Sequence, residues 1–113
     1  MSYDLILDMQ DLNAKLSKTL DRLKDNKIAY EQAEMDYKIK LRLEVVRLRE
    51  VEKMPVTMIP LVVYGVPEIA RLRFARGSAE AVLEANREAI NTYKLQMRML
   101  DAQIQREWGR KDG

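Results

Sequence analysis

The stretch Met54–Glu68, MPVTMIPLVVYGVPE, decides how this chain of 113 residues folds. It contains all three prolines of the sequence and one of its four glycines, and it has no charge between Lys53 and Glu68. The segments on either side are long, rich in charge and free of proline. Because proline breaks the interior of a helix, one central interruption between two helical arms predicts that the chain folds back on itself once.

The two arms carry matching apolar stripes with the spacing of amphipathic helices. In the first arm, apolar residues recur at steps of three or four, with one step of seven: Leu5, Met9, Leu12, Leu16, Leu20, Leu23, Tyr30, Ala33, Tyr37, Leu41, Val45, Leu48 and Val51. In the second arm, the expected stripe is Ile69, Leu72, Ala75, Ala79, Val82, Ala85 or Asn86, Ala89, Tyr93, Met97, Leu100, Ile104 and Trp108. A helix as long as the first arm is not stable alone, so we expect the two stripes to pack together.

The sequence therefore predicts an all-α fold in a single domain over residues 1–113, an antiparallel hairpin of two long helices with a short helical turn at its tip. The expected boundaries are about 3–53 for the first arm, 54–66 for the tip and about 67–108 for the second arm, with a frayed tail at 109–113.

Local signals add detail at the tip and in the second arm. Thr57 is expected to cap the short turn, and Gly65 to end it in the left-handed conformation. Gly77 with Ser78 forms the weak point of the second helix, where we expect a bend or local fraying rather than a break. The steps of four within the first stripe depart from strict heptads, so we expect only local supercoiling.

Further apolar residues lie off the two predicted stripes: Ile6, Ile28, Ile39, Leu43, Val46, Phe74, Leu83, Ile90, Leu95 and Met99. Two helices bury only one seam, so these side chains would be exposed to water in a monomer. Self-association would cover them, and we expect a homodimer with a four-helix arrangement.

The residue types exclude most catalytic chemistry. The sequence has no histidine and no cysteine, which removes the usual zinc ligands, cysteine nucleophiles and histidine bases. Glu80, Glu84 and Glu88 are spaced four apart, but without a histidine they are more typical of a solvated face that pairs with Arg76 and Arg87. We expect no enzyme activity, no catalytic residue, no metal, no cofactor and no small-molecule substrate.

Charge and hydropathy indicate a cytoplasmic protein without membrane contact. The N-terminal residues MSYDLILDMQD are acidic where a secretory signal is positive. The uncharged run at 54–66 has thirteen residues and two prolines, which is too short to span a bilayer.

Basic residues concentrate near the tip. Between Lys38 and Arg76 there are nine basic and four acidic residues, a local net charge of +5 in a chain whose total is +2. This makes eight of them candidate contacts for nucleic acid or an acidic partner: Lys38, Arg42, Arg47, Arg49, Lys53, Arg71, Arg73 and Arg76. The alternative is that they form the ordinary solvated face of long helices.

Apolar residues of the tip form a second candidate site. A surface for docking another protein would use Met54, Met58, Ile59, Leu61, Val62 and Tyr64. The alternative is that these side chains are a packed cap on the hairpin.

Three motifs resemble those of small helical, coiled-coil-like proteins encoded by phages and prophages of Gram-positive bacteria. They are A-E-x-x-Y-K, P-x-T-x-I and A-x-x-A-I-x-x-x-K. The first two are found here at Ala33, Glu34, Tyr37 and Lys38 and at Pro55, Thr57 and Ile59, and the third is matched at Ala85 or Ala89, Ile90 and Lys94, with one extra residue between the two alanines. The resemblance covers about residues 30–108. It implies a short early or middle gene product, found among replication and recombination genes and acting in the bacterial host's cytoplasm, and it carries over no catalytic residue.

Two functions fit these features. The first is a non-enzymatic interaction or adaptor protein of phage type, acting through protein–protein contacts. The alternative is a nucleic-acid-binding accessory protein of a replication or recombination module that uses the basic tip. A minor third option is a virion assembly factor.

Overall fold

A computed structural model describes residues 2–112 of the chain, and the side chains of residues 3–109. Four helical elements follow one another: α1 (Ser2–Glu50), α2 (Ile59–Val62), a 3-10 helix (Val63–Gly65) and α3 (Pro67–Asp112). The described residues contain no β-strand. α1 and α3 pack against each other in opposite directions, with α2 and the 3-10 helix between them, and this confirms the helical hairpin.

The end of α1 is closed by a residue in the left-handed conformation. α1 ends at Glu50, earlier than the predicted boundary near 53. Lys53 then adopts a φ of 56°, and the backbone N–H of Met54 donates to the carbonyl of Leu48 at 3.0 Å. The chain thus turns off the helix at a lysine, where glycine is the usual residue.

Two predictions about the tip are wrong. Met58, not Thr57, is the N-cap residue of α2, and no side chain caps this helix. Gly65 has no left-handed φ. Instead, a backbone hydrogen bond of 3.2 Å from Val66 to the carbonyl of Val63 closes the 3-10 helix, so the turn needs no left-handed residue there. Pro60 does lie in the first turn of α2, as predicted.

α3 begins at Pro67, as predicted, and is continuous to Asp112. It passes through Gly77 and Ser78 without a break, as predicted, and residues 77 and 78 are helical, so local fraying does not occur there. The helix also continues past Trp108, because its own backbone hydrogen bonds do not depend on side-chain packing. Gly113 lies outside the described residues.

The stripe predicted for α1 is confirmed except at Leu20 and Val51, which are exposed. Asn26, which is half-buried, lies on this stripe between Leu23 and Tyr30, where the apolar residues are seven apart. For α3 the prediction is partly wrong, because Ala75, Val82 and Trp108 are exposed. Apart from the half-buried Ala89, which was predicted for the stripe, the buried and half-buried positions of α3 instead alternate in steps of three and four: Ile69, Leu72, Arg76, Ala79, Leu83, Asn86, Ile90, Tyr93, Met97, Leu100, Ile104 and Glu107. Leu83 and Ile90, predicted to lie off the stripe, are therefore part of it.

The contacts of the chain divide into two units. One is Asn26–Leu83, which holds six of the seven fully buried apolar residues described: Tyr37, Leu48, Ile59, Val63, Ile69 and Leu83. Its centre is a cluster of Leu48, Ile59 and Val63, against which four half-buried residues pack: Leu41, Val45, Met54 and Val62.

The other unit combines the described residues up to Asp25 with those from Glu84 onward. Half-buried apolar residues line its seam, and Ile90 is fully buried. Asn86 is buried as well, with 7% of its surface exposed, and its side-chain amide donates to the backbone carbonyl of Thr19 at 3.0 Å. The seam of this unit is therefore partly polar.

Candidate functional site

Both candidate sites predicted from the sequence lie in the unit Asn26–Leu83, where the core cluster holds the tip against α1. Of the six predicted docking residues, Met54, Ile59 and Val62 belong to this cluster or pack against it. Their role is therefore to hold the tip in place. Met58, Leu61 and Tyr64 are exposed, and Leu61 is 81% exposed.

A groove lies where the tip meets α1. We call it the tip groove; it has a volume of about 240 Å³, and six residues at its walls and edge define it: Leu41, Val45, Arg49, Val56, Pro60 and Tyr64. Its floor is made by the buried Ile59 and Val63. Because the core cluster fixes the floor, the groove is an apolar surface that exists before any partner arrives.

Sequence reasoning missed most of the groove. Leu41 and Val45 were assigned to the stripe of α1, and Val56 was not singled out, although it is 64% exposed. The feature of the sequence that could have predicted the groove is the chain reversal itself. A segment that folds back onto α1 brings Val56 and Tyr64 beside the last turns of that helix.

Among the predicted basic contacts, Arg47 is the most strongly engaged within the chain. Its guanidinium donates to Glu44 Oε1 at 2.6 Å and to Glu52 Oε1 at 2.9 Å. Glu44 is only 12% exposed at its side chain, and the hydrogen bond from Arg47 holds the pKa of its carboxyl below the ordinary value. The hydrogen bond to Glu44 likewise raises the pKa of Arg47. This pair ties the last turn of α1 to Glu52 beyond it, so little of the Arg47 charge is left for a partner.

Two further arginines lie over tyrosine rings. The guanidinium carbon of Arg73 is 5.1 Å from the ring centre of Tyr64, and that of Arg76 is 4.8 Å from the ring centre of Tyr37. Both distances are typical of cation–π contacts. Arg76 is half-buried, and its Nε has no hydrogen-bond partner among the described residues. Arg76 therefore contributes to packing, whereas Arg73 keeps its charge at the surface.

The other five basic positions are exposed or lightly paired. Lys38 is 3.3 Å from Glu34, and Lys40, the ninth basic residue, is 3.4 Å from Glu68. Arg49 makes only a long contact of 3.9 Å with Glu50. Of the five positions, three have no ion-pair partner within residues 3–109: Arg42, Lys53 and Arg71. The tip is thus basic at its surface, because the ion pairs with Glu44, Glu50, Glu52 and Glu68 are already subtracted in the local net charge of +5.

Neither a metal site nor a membrane span emerges from the part of the chain that the structure describes. No three acidic, histidine or cysteine side chains within it are placed to hold a metal ion together. Of the glutamates considered from the sequence, Glu84 forms an ion pair with Arg87 at 3.2 Å. No described helix has the length and apolar character needed to cross a bilayer.

The tip groove is therefore an apolar surface with basic side chains at its edge, namely Arg49 and, over the ring of Tyr64, Arg73. Comparison of the chain with family models, with curated proteins and with solved structures finds no match in any of the three.

Proposed function

We propose that this chain is a non-enzymatic interaction protein, of the phage adaptor type that its motifs resemble, which binds another protein through the tip groove. The observation that carries the proposal is an apolar groove with a fixed floor, edged by Arg49 and close to further basic residues. A surface with an apolar centre and a charged rim is typical of protein interfaces. The expected occupant is an amphipathic helix with acidic residues beside its apolar face.

The proposal includes self-association and coiled-coil packing between α1 and α3. The three-and-four alternation of the buried positions in α3 supports the packing, because it is the spacing that lets two helices keep one seam in contact. Exposed apolar residues outside the tip support self-association, since a homodimer would remove them from water.

A fluorescently labelled helical peptide tests the groove. The probe has about sixteen residues, with leucines at helical spacing on one face and glutamates on the flanks. We expect binding that is weakened at least about tenfold by Val56→Glu, which places a carboxylate in the apolar groove. Phe74→Glu is the matched control, because Phe74 is 77% exposed and does not line the groove. Equal affinities for Val56→Glu and wild type would rule out the groove as the binding site.

Nucleic acid is the second candidate partner, favoured by the exposed Arg42 and Arg71, which have no ion-pair partner within residues 3–109. Titration of labelled single- and double-stranded DNA at about 50 and about 200 mM salt tests it. This candidate predicts binding that falls steeply with salt and is lost in Arg42→Glu with Arg71→Glu. No binding at the lower salt would exclude it and leave the protein partner.

A further inference from the structure

The outer face of α1 carries a second apolar stripe that no other part of its own unit covers. We call it the outer stripe; it consists of Ile28, Met35, Ile39 and Val46, each between 48% and 55% exposed. Two shallow grooves run beside it, one along Met35 and Ile39 and the other along Val46. α1 therefore presents apolar side chains on two faces, of which α3 and the tip cover only one.

The spacing of the outer stripe reads the same in both directions along the helix. From Ile28 the steps are seven, four and seven residues, and the polar Gln32 and Arg42 occupy the two intermediate turns. An antiparallel copy centred at the level of residue 37 would place Ile28 against Val46 at each end of the contact and Met35 against Ile39 on each side of its centre. Such self-complementarity is what a two-fold symmetric interface requires.

We propose that the occupant of the outer stripe is the outer stripe of a second copy of this chain, packed antiparallel. This inference rests on the self-association included in the proposed function and assigns it a surface and a direction. The stripe spans nineteen residues, or roughly 28 Å of helix. This is a small interface, so we expect a dimer in the micromolar range.

The two polar positions of the outer stripe favour the antiparallel arrangement over the parallel one. In a parallel dimer in register, each Arg42 would meet the Arg42 of the other copy, which is repulsive. In the antiparallel dimer, Arg42 meets Gln32 of the other copy. The Gln32 amide already donates to Asp36 at 2.9 Å, which leaves its carbonyl oxygen to accept from the guanidinium.

Charges beside the stripe oppose this arrangement only weakly. Two Lys38 and two Asp36 approach their own copies near the centre of the dimer. Lys38 already has an ion pair with Glu34 in its own chain, and Asp36 accepts the hydrogen bond from Gln32. Because exposed like charges cost less than about 1 kcal/mol, burial of the four apolar residues outweighs them.

Cysteine cross-linking tests the direction of the pairing, because the chain has no cysteine of its own. In the antiparallel dimer, an Ile28→Cys chain mixed with a Val46→Cys chain should form a disulfide-linked heterodimer in a glutathione buffer. Each variant alone should stay uncoupled, since like positions are then about 27 Å apart. A covalent dimer formed by either variant alone, without the mixed product, would overturn the antiparallel arrangement.

Sedimentation equilibrium at about 10 to 500 µM tests the surface itself. We expect Ile39→Glu to weaken dimerisation at least about tenfold, because it buries a carboxylate in each half of the contact. Leu95→Glu is the matched control, since Leu95 is similarly exposed, at 50%, and lies on α3. Circular dichroism of both variants checks that the helices remain folded.

The outcomes separate this inference from the proposed function. A dimer that Ile39→Glu leaves intact would overturn the outer stripe as the interface, while self-association itself would stand. A wild-type chain that is monomeric at every concentration would overturn both the inference and the self-association. The peptide titration at the tip groove is independent of either result.

Discussion

Among the residues that the structure describes, Lys53 alone combines a side chain with a left-handed backbone conformation. A left-handed φ is costly for any residue with a Cβ, and at this position it lets the chain leave α1 toward the tip. The tip itself contains a glycine, Gly65, that does not use this freedom. The left-handed conformation is therefore adopted at position 53, whereas the glycine that could adopt it at least cost is at position 65.

We predict that Lys53→Gly stabilises the protein by about 0.5–1 kcal/mol, because it removes the steric cost of the left-handed residue. Gly65→Ala serves as the control, since no atom lies within 4 Å of the added Cβ and the φ there is not left-handed. Its effect should stay within about 0.5 kcal/mol. Urea denaturation of wild type and the two variants measures the free energy of unfolding. A large loss of stability in Gly65→Ala alone would contradict the assignment of the left-handed conformation to Lys53 and not to Gly65.

Glu44 should make stability depend on pH in the acid range. Its pKa is lowered in the folded state from the ordinary value of 4.5, chiefly by the hydrogen bond from Arg47. The unfolded chain therefore binds a proton more readily, so the stabilisation is fully present above pH 4.5 and is lost as the pH falls through the folded pKa.

Denaturation of wild type and Glu44→Gln between pH 7 and pH 3 checks this prediction. The stability difference between the two proteins should be largest at neutral pH and should shrink at the acid end. In an Arg47→Gln background the difference should be small at every pH, because the hydrogen bond is already missing. A difference that does not change with pH would show that the carboxylate charge is irrelevant.

At the scale of the elements, α3 is one continuous helix in spite of the glycine in its interior. Gly77 is exposed, and an added Cβ would meet no atom within 4 Å outside the adjacent residues and backbone of its own helix. Helix propensity alone should therefore decide the effect of a substitution.

We predict that Gly77→Ala stabilises the protein by about 1 kcal/mol, visible as a higher midpoint of thermal unfolding. Gly109→Ala also adds a methyl group in open space but lies near the end of the helix, so its gain should be smaller. A loss of stability in Gly77→Ala would mean that the backbone at this position is not regular helix.

The sequence predicted the elements better than the faces of α3. Proline positions set the hairpin, because they act locally and independently of the rest of the chain. The seam of α3 was misjudged because Arg76 occupies one of its positions, whereas the buried Asn86 was one of the two residues predicted for its own position. A stripe traced through apolar residues alone therefore included Ala75 and Val82 and left out Leu83. The aliphatic part of an arginine side chain can pack in a seam while its guanidinium lies over an aromatic ring, and a hydropathy value does not reflect this.

The candidate site was predictable only in outline. The basic and apolar character of the tip followed from composition. Which side chains the core would use, such as Ile59, and which it would leave outside, such as Leu61, depends on how the tip packs on α1. That packing is tertiary information, and residue order along the tip does not contain it.

At the scale of the whole molecule, the seam between α1 and α3 includes one polar pairing across the two helices. Asn86 is a buried polar residue in an otherwise mainly apolar stripe, and it is matched to the Thr19 carbonyl in α1. In packed helices, such an asparagine can set the register at a cost in stability, because other registers leave it without its partner.

We predict that Asn86→Leu raises the unfolding midpoint but lowers the uniqueness of the register in the unit that holds Asn86. Additional sets of amide peaks in a two-dimensional NMR spectrum would report the second effect. Asn91→Leu is the control, because Asn91 is an exposed asparagine of the same helix. A single set of peaks with lower stability in Asn86→Leu would mean that the hydrogen bond stabilises without specifying the register.

The single fold-back also has a consequence for folding kinetics. Leu48 and Val63 are fifteen residues apart in the chain, whereas Asn86 and Thr19 are separated by 67 residues. Closing the longer loop first costs about 1.3 kcal/mol more chain entropy than closing the shorter one. The hairpin should therefore nucleate at the tip and zip toward the termini. We expect Leu48→Ala to slow folding and Leu100→Ala mainly to speed unfolding, as stopped-flow measurements of both rates would reveal.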